Sequence, residues 1–228
     1  MTTLPLSPVA GLRLTSRAAL GTALVFSALF IAMFSLLLPL SDVPEGQQEL
    51  IAASRNPQLW RLSSVLDVGV WLGTAVILLG LAVAAFAAAP LRALLIGLAA
   101  AAQPLGAMGG MLRLSAVTEL GSRYGTDQES VVAAYRTVNE VINTHFDLGS
   151  LLYAVGFLLA AWVGLRYRLL PRWLAIFIAV FAMFGLVTNA LDFAGIGSPL
   201  PVSLLFLFTG IVLQYSMAAG LWRWQPAM

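Results

Sequence analysis

The 228-residue chain has no cysteine, no lysine, one histidine and few charges, only 10% of its residues. Each scarcity excludes something. Without cysteine there is no disulfide, no thiolate metal site and no cysteine nucleophile. Without lysine there is no Schiff base, hence no retinal-type pigment, and no phosphate-binding lysine of a Walker loop. With His145 as its sole histidine, the chain lacks the ligands of a multi-histidine zinc hydrolase or a bis-histidine haem site. The net charge of +2 is too small for a nucleic-acid-binding role. An ordinary soluble domain is about one quarter charged. At 60% hydrophobic and 10% charged, this chain has too little polar surface to cover a soluble core.

What the chain has instead is long apolar runs, six of them near the ~20 residues that cross a bilayer. They predict an all-α integral membrane bundle, a single domain over 1–228, with transmembrane helices at about 18–40, 59–88, 93–117, 141–165, 174–193 and 202–222. The first run exceeds the 7–15-residue apolar core of a signal peptide, and no small-residue cleavage site follows it. Trp60 stands where an interfacial anchor is expected. The third run carries Gln103-Pro104, a kink signal, then Gly106, Gly109 and Gly110, which allow close helix approach. The polar segment 118–139 turns helical from Thr126 or Asp127, either of which can cap an extension into the fourth helix.

Arginine distribution sets the orientation. The N-terminal segment, the two tight turns and the C-terminal end carry Arg13, Arg17, Arg92, Arg166, Arg168, Arg172 and Arg223 with no acidic residue. The opposite side carries Asp42, Glu45, Glu49, Glu119, Asp127 and Glu129 alongside fewer arginines. Positive loops stay inside, so both termini are expected in the cytoplasm of a cell whose inner membrane holds the protein.

Two stretches repeat: Leu66-Asp67-Val68-Gly69 and Phe146-Asp147-Leu148-Gly149. Asp67 lies 23 positions before Pro90, Asp147 24 before Pro171, and an arginine follows each proline by one or two residues. The pattern reads as a duplicated helical hairpin with an aspartate at the same depth in each copy. A charge within a bilayer costs ~2.5–3.5 kcal/mol on insertion scales, so such residues face a partner or a ligand. Asp67, Arg113, Asp147, Asn189 and Asp192 fall in the outer half of this topology. With Glu140 and Asn143 they are the candidate ligand-binding set, with Arg113 as counter-charge. Arg136, Glu140, Asn143 and Asp147 recur every three or four residues, one stripe of a helix. His145 stands about 200° from Asp147 on the helical wheel, so the two do not pair.

Three readings follow. The leading one is an outward-facing polar pocket for a small molecule, ion or lipid headgroup, in a sensor, carrier or accessory subunit; its competitor is that the same charges lock the bundle. The second is a membrane enzyme acting on a lipid, with Asp147 or His145 as base. The third is a structural subunit of a membrane complex. Carboxylates at Asp67, Glu140, Asp147 and Asp192 could hold Mg²⁺ or Ca²⁺, a pattern without specificity. No cofactor is implied. The partners are the bilayer and such a ligand, with homo- and hetero-oligomers both open.

The run Leu152-Tyr153-Ala154-Val155-Gly156, followed by Pro171-Arg172-Trp173-Leu174, resembles an uncharacterised family of small bacterial six-helix membrane proteins with a Pro-Arg-Trp-Leu turn. The resemblance implies a six-helix membrane topology and no activity. The last helix departs from it, with Gln214-Tyr215 where the family pattern leads one to expect Gln-Glu.

Overall fold

The computed structural model describes residues 7–40, 42–43, 47–193 and 200–224, without the side chains of 192–193, 200–204 and 206–207. Among the described residues the regular structure is helical throughout. Prolines punctuate it. Helix α1 is Pro8–Leu37, α3 Pro57–Phe86, α4 Pro90–Ala102 and α5 Pro104–Leu112, each opening on a proline, while α8, Arg172–Phe193, follows Pro171. A proline in the first turn costs a helix nothing, because that N–H has no intrahelical partner anyway.

Five stretches are long and apolar enough to cross a membrane: Pro8–Leu40, Pro57–Phe86, Pro90–Arg123, Gln128–Arg166 and Arg172–Leu191. Large apolar side chains such as Ile31, Leu98 and Val180 are about two-thirds exposed on them, as suits helices whose outer surface meets lipid rather than water. Helix α9, Leu200–Trp222, completes the sequence of helices.

Several boundaries differ from expectation. α1 starts ten residues early, because Ser7 caps it: the Ala10 N–H donates to Ser7 Oγ at 3.2 Å. The polar loop after α1 contains a short helix, α2, Gln48–Arg55. The kink expected at Gln103-Pro104 is present as the break between α4 and α5. Beyond α5 the chain widens into a π-helical stretch, Arg113–Val117, then α6, Thr118–Arg123. The extension expected before the fourth span is also present. α7 is one 39-residue helix, Gln128–Arg166, and Asp127 caps it through the Ser130 N–H at 3.4 Å. At ~1.5 Å per residue it is nearly 60 Å long, well beyond a ~30 Å hydrocarbon core.

α7 ends in a Schellman-type turn. The Leu169 N–H donates to Gly164 O at 3.1 Å, and Arg168 between them has φ 55°. That left-handed position normally belongs to glycine; an L-residue there costs ~1–2 kcal/mol.

The chain forms two compact units. The first comprises residues 1–24, 72–104 and 149–228. Its core includes Leu12, Ile77, Leu78, Ile96, Phe157, Leu174, Ile178, Leu213 and Met217, all essentially inaccessible. α1 and α3 approach closely within it. A Cβ on Gly11 would lie 2.5 Å from the Ala84 backbone nitrogen, and one on Gly80 would overlap Thr15. Between helices in lipid, where hydrophobicity offers no net drive, such small-residue packing supplies the van der Waals contact. Ser16 Oγ donates to Ala218 O at 2.8 Å and ties α1 to α9.

The second unit comprises residues 25–71 and 105–148. Leu36, Leu50, Trp60, Val117, Val131, Tyr135 and Ile142 form its core.

Candidate functional site

The polar centre of the second unit is built on Glu49, in the first turn of α2. Its Oε1 pairs with the Arg113 guanidinium, and its Oε2 accepts from the Tyr135 hydroxyl at 2.8 Å. Tyr135 OH also lies 3.3 Å from Asn139 Oδ1, one turn along α7. The guanidinium carbon of Arg113 sits 5.1 Å from the centre of the Trp60 ring. Arg113 opens the π-helical stretch, where the extra residue per turn re-aims side chains. Three helical segments are thus held to one carboxylate.

Around it, Tyr124 OH donates to Gln47 Oε1 at 3.1 Å and receives a bond from Gln128 Nε2 at 2.8 Å. A Cβ on Gly121 would come within 2.7 Å of Ala53 Cβ, so α6 lies hard against α2.

Asp67 forms a second focus. The Trp71 side chain lies beside it, one turn along α3, but its Oδ2 is shielded from solvent and has no hydrogen-bond partner among the described residues. This oxygen faces α5, where a Cβ on Gly110 would lie 3.2 Å from it. The Trp71 ring stacks on Phe146 of α7, with centroids 6.0 Å apart and planes at 16°. Gly106 makes room for that indole: a Cβ there would sit 2.6 Å from Trp71 Cε2. Gly109 faces Phe146 in the same way, at 3.1 Å. The three glycines thus serve the close packing expected of them.

The seven sequence candidates are distributed unevenly. Arg113 is committed to Glu49 rather than to either aspartate. Asp147 is half-buried on α7, next to Phe146. Glu140 and Asn143 are exposed on that helix. Asn189 belongs to the first unit, is buried, and donates from Nδ2 to Gly185 O of its own helix at 2.7 Å. Asp192 lies in the last turn of α8, with its side chain outside the described residues. His145 Nδ1 lies 2.8 Å from Val141 O, one turn back. Among the described residues no three acidic or histidine side chains converge as a metal site would require.

Trp60, expected as an interfacial anchor, is completely buried beneath Arg113. Glu49 and Tyr135 are not recognisable as partners from the chain alone, because nothing local joins residues 86 positions apart. One signal for α2 was present: Glu49 in its first turn, Arg55 in its last and Asn56-Pro57 as a stop. Compared with protein-family models, curated proteins and solved structures, the chain matches none.

Proposed function

We infer that the protein crosses the membrane six times with both termini in the cytoplasm, on a duplicated hairpin plan, and binds a small cationic solute at Asp67. The observation that carries the binding site is the unpartnered Oδ2 of Asp67 within a membrane-crossing helix. Arg113, the counter-charge expected for it, is taken by Glu49. A carboxylate in that setting calls for a bound proton or cation. The arginine-rich turns and the sixth apolar helix support the topology. His145, already engaged by its own helix, gives the enzymatic reading less support.

The test is thermal unfolding of the purified protein with a panel of small primary and quaternary amines and alkali cations. At one hundred times its Kd, a ligand stabilises the folded state by ~2.7 kcal/mol. A member of the panel should stabilise wild type and leave Asp67→Asn unmoved. Without ligand, Asp67→Asn should melt at or above wild type, because it removes a charge from a span. Equal stabilisation of both proteins, or none in wild type across the panel, rejects the site.

A further inference from the structure

Arg168 and Arg172 flank a cavity of about 630 Å³ whose walls include Gly164, Leu165, Ile176 and Trp224. Neither arginine has an ion-pair partner among the described residues, and no acidic residue occurs between positions 164 and 177. Arg168 occupies a left-handed backbone position that favours glycine, so this side chain is present against its local conformational preference. Trp224 is fixed as a wall by its indole N–H, which donates to Leu169 O at 3.0 Å.

Leu165 also lines a second, wholly apolar groove of about 420 Å³, with Leu158, Leu159, Trp162 and Ala179. The Arg92 guanidinium lies 3.9 Å over the Trp162 ring. The two spaces share Leu165 and run between α7 and α8, basic at one end and apolar along the rest. From Leu158 to Arg166, the last residue of α7, is eight positions, about 12 Å at helical rise, most of the ~15 Å depth of one leaflet.

We propose that this slot is a binding site for an anionic phospholipid, with the phosphate between Arg168 and Arg172 and one acyl chain along the groove from Leu165 to Leu158. Guanidinium groups present paired N–H donors that match phosphate oxygens. Basic pockets between membrane helices are where anionic headgroups settle. A free phosphate would use the arginines alone, and a zwitterionic lipid the groove alone; the anionic lipid uses both.

The test is native mass spectrometry of the full chain released from nanodiscs of equal phosphatidylglycerol and phosphatidylcholine. Wild type should retain phosphatidylglycerol in preference to phosphatidylcholine. The double variant Arg168→Gln/Arg172→Gln should lose that preference, at roughly fivefold per arginine and about twenty-five-fold together. Arg13→Gln/Arg17→Gln is the matched control, since those arginines line a separate cavity of about 240 Å³ with Ser16 and Trp222, and it should behave as wild type. Ala179→Trp, which fills the groove and keeps both arginines, should also lose the retained lipid, and it serves as the second variant if the arginine pair proves needed for folding. The proposal is overturned if wild type retains both lipids equally, if the control loses as much as the test variant, or if glycerol phosphate without acyl chains displaces the lipid.

Discussion

Replacing Glu49 with alanine should destabilise the second unit more than any single surface change. Both carboxylate oxygens are in use, one by Arg113 and one by Tyr135. The variant leaves the guanidinium over Trp60 with its acid gone and takes from the Tyr135 hydroxyl its acceptor at 2.8 Å. Breaking a buried pair from one side costs ~3–5 kcal/mol, whereas an exposed pair is worth under ~1 kcal/mol. The Arg113 and Glu49 side chains retain 17% and 20% exposure, which places the pair at the lower end of the buried range. We expect a loss of about 3 kcal/mol, or roughly 6–12 °C in Tm at ~2–4 °C per kcal/mol for a chain of this size. The assay is thermal unfolding in one detergent of wild type, Glu49→Ala, Arg113→Met and the double variant, with the coupling read from the cycle. Glu119→Ala is the internal reference. It breaks the Arg123–Glu119 pair, whose side chains are 66% and 61% exposed, and should fall within about 0.5 kcal/mol of wild type. If Glu49→Ala melts as Glu119→Ala does, or if the Glu49 and Arg113 costs simply add, the clamp does not hold α2 to the bundle.

Three further substitutions probe packing and backbone geometry. Gly106→Ala should cost ~1–3 kcal/mol, because its methyl group must displace the Trp71 ring; near-ultraviolet circular dichroism should change with it. Gly97→Ala, where a Cβ meets nothing within 4 Å, should instead be neutral or raise stability by ~0.5–1 kcal/mol, as expected for a glycine within a helix. Arg168→Gly should stabilise the turn after α7 by about 1 kcal/mol through relief of its positive φ. In the nanodisc measurement the same variant should weaken retention of the anionic lipid, a gain and a loss from one substitution.

The helical, membrane-crossing character was legible in the residues because it depends on run length and the scarcity of charge, both one-dimensional. The break at Gln103-Pro104, the long helix from Gln128 through Arg166 and the packing role of Gly106, Gly109 and Gly110 were legible for the same reason: proline, caps and missing side chains act locally. α2 was missed because its eight residues are too few for apolar periodicity to register.

The partners of the charges were a different matter. Depth along a helix suggested Arg113 for the aspartates, but depth does not fix azimuth, and the π-helical turn at Arg113 changes azimuth without changing composition. Only the packing of α2 against α6 brings Glu49 to that arginine. By itself the sequence determined that this chain is built from apolar helices with a few costly charges among them. The tertiary structure decided that Arg113 meets Glu49 and that Asp67 Oδ2 meets no hydrogen-bond partner among the described residues. Coulomb attraction and hydrogen bonding act over a few ångströms in space, across gaps of 64 and 86 positions in the chain.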